Sequence, residues 1–159
     1  MTLDPFLDEN SRVLTPEAFD FVLSNELKRA VRSQNFLTLV NVEPSIRGAA
    51  DGGNGERDSA VQEIARLISR DVRETDLLSQ TAPGRLSVVL LDADLENSIG
   101  VIERLMSRLD NYVFPRPLTI QVGAACCPTN GADVESLRRA AEAQRVHPPG
   151  NRGSASNAH

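Results

Sequence analysis

Arg73 and Asp76, an arginine and an aspartate three positions apart in Arg73-Glu74-Thr75-Asp76, are a charged pair whose residue types could recognise a ligand. A guanidinium offers a planar fork of donors and a carboxylate offers only acceptors. Together they can meet a ligand edge that carries both, or pair with each other at a solvated junction. Other candidates fall away on spacing. Asp92 and Asp94 are close enough for paired acids, yet Asp94 stands where a helix cap belongs. Ser79 and Ser87 lie in strand-like runs with no base nearby in sequence. His147 and His159, the only histidines, lie in a polar tail, so the core can build no histidine-based triad or metal cluster. Gly52-Gly53-Asn54-Gly55 lacks the Lys-Ser/Thr of a phosphate loop and reads as a flexible loop. Cys126 and Cys127 are neighbours, which point to opposite faces of a strand. They read as small core side chains without a disulfide, in keeping with a reducing cytoplasm.

These residues need elements to hold them. Thr15-Pro16-Glu17 has the hydroxyl cap, first-turn proline and early acid of a helix start. Phe19, Val22, Leu23, Leu27, Ala30 and Val31 follow at helical spacing as one buried stripe. Phe36–Val42 is a buried strand that Pro44 ends. Residues 47–57 form a glycine-rich loop, and Ser59-Ala60-Val61-Gln62 has the pattern of a capping box. It opens a helix whose buried stripe is Val61, Ile64, Ala65, Ile68 and Val72. Thr75–Gln80 and Leu86–Leu91 are strands joined by a hairpin around Pro83-Gly84. Asp94 caps a helix to about Leu109 with Ile99, Ile102, Leu105, Met106 and Leu109 inward. Leu118–Ala125 is another strand. Asp133 starts a last helix with Val134, Leu137, Ala140 and Ala141 inward. The order helix, strand, helix, hairpin, helix, strand, helix predicts an α+β sandwich, a central, mostly antiparallel sheet flanked by helices.

At 159 residues, with 40% hydrophobic and 25% charged residues, the chain has room for one domain and short tails. We divide it into an acidic leader over residues 1–13, a domain over 14–146 and a disordered polar tail over 147–159. A net charge of -5 argues against a nucleic-acid binder, which needs a basic face. The start lacks the charged and apolar regions of a secretory signal, and no apolar run approaches the roughly 20 residues of a membrane helix. The expected location is the cytoplasm.

Several words in this order resemble the GGDEF family of diguanylate cyclases. Leu14-Thr15 and the helix around Phe19 are similar to its "LTGLxNRxxF" entry, and Leu39-Val40-Asn41-Val42-Glu43 to its "LLDID" strand. Arg73-Glu74-Thr75-Asp76-Leu77-Leu78 resembles "RxSDLV". Ile120–Ala125 with Pro128, Asn130-Gly131 and Asp133 resembles "VSIGVAxxPxDGxD", and Leu137 with Ala140–Ala143 resembles "LLxxADxA". The resemblance covers residues 14–145 and implies the GGDEF, nucleotide-cyclase-like sandwich.

In that family two acids hold two divalent cations that position GTP and stabilise charge on its phosphates. Here the resemblance puts the first acid on Asn41, a poorer ligand for a hard cation, with Glu43 two residues on. The signature falls on Ala82-Pro83-Gly84-Arg85-Leu86, so Gly84 and Arg85 stand at its acids and Pro83 at its second glycine. The family's guanine-binding Asn falls on Ala49, its Asp on Asp58, and its phosphate-binding Lys on Pro148. These departures lead us to expect a degenerate domain that is not an enzyme, with no catalytic residues, no metal and no cofactor. Such a domain is expected to act as a regulatory module through a protein partner or a homodimer. The alternative is a cyclic di-GMP receptor. Arg73 and Asp76 keep the family's inhibitory-site spacing, with five residues between Asp76 and the signature. Residual cyclase activity is the third reading.

Overall fold

The computed structural model describes residues 13–46 and 54–147. Helix α1 (Pro16–Ser33) begins as its sequence asks, with Thr15 Oγ1 accepting from the Ala18 amide at 3.2 Å. It ends on Gln34 in a left-handed conformation, φ 60°. Phe19, Leu23, Leu27 and Ala30 are buried, but Val22 is half-buried and Val31 is exposed. At ~100° per residue those two valines lie about a quarter turn to either side of the stripe, past the edges of its contact with the sheet.

Strand β1 (Leu37–Ile46) is central and runs straight through Pro44. The expected stop fails because β3 pairs with β1 only as far as Val42. Beyond it, among the described residues, β1 has β4 on one side alone, an edge-like stretch that accommodates a proline. Helix α2 (Asn54–Asp71) starts five residues before Ser59, so the apparent capping box lies inside the helix. Of the expected glycine-rich loop, residues 47–53 lie outside the described residues and 54–57 are helical.

Strands β2 (Leu77–Ala82) and β3 (Arg85–Leu91) meet at a two-residue turn, Pro83-Gly84. Proline fixes a negative φ and Gly84 takes +76°, the combination a type II turn demands. Helix α3 (Leu95–Asp110) is capped by Asp94, which accepts from the Asn97 amide at 2.9 Å. Strand β4 (Leu118–Cys127) follows, then α4 (Val134–Ala143) behind a capping box of Asp133 and Ser136. Hydrogen bonds from Ser136 hold the Asp133 carboxyl below its ordinary range. A three-residue strand β5 (Arg145–His147), which the sequence pattern does not reveal, pairs with Val122 and Gly123. His147 therefore lies in the sheet; residues 148–159 fall outside the described residues.

The sheet order is β2-β3-β1-β4-β5, antiparallel throughout. Because side chains alternate along each strand, the sheet has two cores. Val40 and Val42 join Ile64, Ile68, Ile102 and Met106 under α2 and α3. Leu37 and Leu39 join Phe19, Leu23, Leu27 and Leu137 under α1 and α4. Both cysteines are free and buried. Among the described residues no helix is long and apolar enough to cross a membrane.

Candidate functional site

Asn41 and Glu43 stand on the α1/α4 face of β1, beyond the end of that core. Asn41 pairs with Ser87 of β3 and Gly123 of β4. The Ser87 hydroxyl donates to Asn41 Oδ1 at 2.7 Å, which leaves Thr81 as donor to Ser87 at 2.8 Å. The result is a polar ladder across β2, β3 and β1 that occupies the carbonyl of Asn41. Ser87 is thus a rung of the sheet, and Ser79 donates to the Leu14 carbonyl at 2.8 Å.

Arg85 lies beside them. Its Nε donates to Glu43 at 2.6 Å and a terminal nitrogen reaches Glu142 of α4 at 3.3 Å. The Arg85 side chain is 26% exposed, and its guanidinium lies between two carboxylates and beside a cavity of about 250 Å³. The guanidinium of Arg145, which donates to Gln121, lines the same space. Around the turn, Gly84 is buried: a Cβ there would lie 2.9 Å from Nε of Arg57, which reaches over from α2. Pro83 is exposed and Ala82 half-buried. Leu86 points the other way, into the α2/α3 core. Asp58 and Gln62 of α2 line a separate cleft of about 450 Å³ with Thr81, Ala82 and Pro83. Ala49 and Pro148 lie outside the described residues.

Arg73 and Asp76 sit near the opposite end of β3, where α2 turns into β2. They are together, but not as a solvated pair. The Asp76 side chain is only 3% exposed and that of Arg73 is 60% exposed. Asp76 accepts from the amides of Arg73 (3.0 Å) and Leu91 (3.1 Å) and, more loosely, from the Arg73 guanidinium at 3.4 Å. That guanidinium also donates to the Leu91 carbonyl. Asp92 takes a left-handed φ of 58°, and the Asp94 side chain is engaged in capping α3.

Sequence reasoning missed Glu142, Arg145 and Arg57. Arg85 is 42 positions from Glu43 and 57 from Glu142, and no local spacing signals contacts of that range. Among the described residues no group of three or more His, Cys, Asp or Glu is gathered to hold a metal ion.

The family model described as "Diguanylate cyclase, GGDEF domain" matches residues 7–146. The chain belongs to the GGDEF family. The domain is 24% identical over 97 residues to the probable diguanylate cyclase DgcT of Escherichia coli K12, a match covering 57% of this chain but only 22% of that protein. A DGC protein from Thermotoga maritima superposes with a TM-score of 0.72 at 17% identity, over 89% of this chain and 99% of that one. The FimX GGDEF domain of Pseudomonas aeruginosa gives 0.73 at 17%, over 87% and 90%. The GGDEF domain of DgcB from Caulobacter crescentus, solved in complex with c-di-GMP, gives 0.71 at 14%, over 90% and 86%. The shared architecture is the GGDEF sandwich expected from sequence. Membership corrects one expectation. We read the chain as standing outside the enzymes, whereas the GGDEF family it belongs to is a family of cyclases.

Proposed function

We propose that this GGDEF domain is a regulatory module of cyclic di-GMP signalling that passes its signal through contact with a protein partner or a second copy of itself. The observation that carries this reading is Arg85, held 2.6 Å from Glu43 and 3.3 Å from Glu142. A guanidinium at the signature turn, ion-paired to β1 and α4, gives that end of the sheet a charge-balanced surface built from three elements. Half-exposed ion pairs add little stability, so what they supply is placed charge, which governs specificity and encounter at interfaces. A divalent cation does not fit these donors: Asn41 has given its oxygen to Ser87, Glu43 is engaged by Arg85, and Gly84 brings no side chain. The reading puts the domain in the cytoplasm, where the thiols of Cys126 and Cys127 stay reduced.

Light scattering and pull-down on the full chain test it. The expected result is a dimer or a defined complex that weakens at least ~10-fold in Arg85→Ala. A monomer that captures nothing overturns it. Incubation with GTP and magnesium or manganese runs beside these measurements, and formation of cyclic di-GMP would move the output from contact to product.

A second reading, a receptor for cyclic di-GMP, is favoured by Arg73. Its backbone is tied to a buried Asp76 while its side chain keeps 60% exposure, which positions a guanidinium for a guanine edge or a phosphate. Calorimetric titration with cyclic di-GMP should give saturable binding that Arg73→Ala removes. No heat at high ligand concentration, or binding unchanged in the variant, ends this reading.

A further inference from the structure

The opening turns of α2 have two flanks. One carries Asp58 and Gln62 on the cleft beside the hairpin. The other meets the segment between α3 and β4 around a second cavity of about 460 Å³, inside the size range of small-molecule sites. Ile46 and Leu118 from the sheet and Ala60 from α2 give it apolar walls, and Tyr112 and Phe114 add a tilted aromatic pair with ring centroids 4.8 Å apart. Val113, between those rings in sequence, lines the same cavity and is 88% exposed. A lone apolar side chain at a surface is ordinary, but one on the lip of an apolar cavity is surface that a ligand would cover.

Each charge in the lining is answered. Arg116 donates to both oxygens of Glu56 at 2.8 Å. Glu63 is ion-paired with Arg66 at 3.3 Å and accepts from the Tyr112 hydroxyl. An ammonium or a carboxylate entering the cavity would lose water without finding an unpaired counter-ion, whereas a neutral ring loses little water and gains the walls. Polar recognition is left to two oxygens. That of Tyr112, whose proton goes to Glu63, can still accept, and the hydroxyl of Ser59 lies at the exposed rim.

We infer that this cavity binds a small, flat, neutral aromatic compound carrying one N–H or O–H donor, its ring against Tyr112, Phe114 and the apolar walls and under Val113. Selection here is for the absence of charge: both carboxylates of the lining already hold guanidinium partners, so neither sign of ion gains over the bare ring. Arg85 has no part in the lining, so the site adds a small-molecule input on α2 and does not depend on the reading of that residue.

The chain has no tryptophan and a single tyrosine, so an indole probe is easily followed by its own fluorescence. Indole, tryptamine and indole-3-propionate share a ring and differ in charge, and each is titrated against the full chain at neutral pH. Indole should bind saturably, neither ion should bind more tightly, and raising the salt should leave the affinity of indole in place, because no ion pair forms or breaks. Val113→Ser, at an exposed position that cannot upset the core, should weaken indole at least ~3-fold by removing apolar cover. Ala60→Phe should abolish binding by filling the cavity. No saturable signal at millimolar indole, a preference of ~10-fold for either ion, or binding unchanged in Val113→Ser overturns the inference. So does a dimer that Val113→Ser dissolves and indole leaves intact, which would give this face to a second copy.

Discussion

Asp76 makes the sharpest statement in the molecule about what one side chain can do. Its carboxylate is buried and accepts from two backbone amides, that of Arg73 in the α2–β2 connection and that of Leu91 at the end of β3. Replacing it with asparagine keeps the shape but turns an acceptor into a donor, which must then face one of those N–H groups. We expect Asp76→Asn to cost about 1–3 kcal/mol in urea unfolding, the usual range for a buried group left unsatisfied. Arg73→Ala, with most of that side chain in solvent, should cost less than ~1 kcal/mol. A neutral Asp76→Asn would mean the carboxylate does not hold the junction. The Arg73–Asp76 contact was legible because it is three residues long. The Leu91 amide, 15 positions away, was not, and neither was the ion pairing of Arg85, because tertiary partners leave no mark in local spacing.

Elements were legible where a short side chain caps a helix. Thr15, Asp94 and Asp133 each accept the amide three residues on, as their positions required. The start of α2 was misread because Ser59 and Gln62 satisfy the capping pattern without standing at an end. Strand β5 was invisible, since three residues carry no periodicity. The element contact with least tolerance is α4 on β4. At Gly123 a Cβ would lie 2.1 Å from the Ala141 carbonyl oxygen, and a backbone atom cannot swing aside as a side chain can. Gly123→Ala should therefore destabilise by about 1–3 kcal/mol or more, by forcing α4 off the sheet. Gly100, on the exposed side of α3 with nothing within 4 Å of its Cβ position, predicts the opposite sign. Gly100→Ala should stabilise by roughly 0.5–1 kcal/mol through helix propensity, raising the melting temperature that Gly123→Ala lowers.

At the scale of the molecule, the continuous apolar run of β1 was enough to mark a strand buried on both faces, but not which helices cover each face. Val40 and Val42 feed one cluster and Leu37 and Leu39 the other, so β1 is a wall common to both. Either core lost on its own would leave an apolar sheet face in water, an unfavourable state for a domain whose whole stability is expected at about 5–15 kcal/mol. The two faces should therefore unfold in one transition. Each has its own reporter. Tyr112, the single tyrosine, packs against the α2/α3 cluster. Cys127 lies in the α1/α4 cluster, where burial and the neighbouring Cys126 push its thiol up, so it reacts only when that face opens. In a Cys126→Ala background, Leu23→Ala on the α1 side should remove about 2–5 kcal/mol, and Ile68→Val on the α2 side about 0.5–1.5. With either substitution, tyrosine fluorescence and Cys127 reactivity should report the same shifted midpoint. If Leu23→Ala advanced thiol exposure while the Tyr112 transition stayed in place, the sheet would be a partition between two independent cores, and signals entering on one face would have no mechanical route to the other.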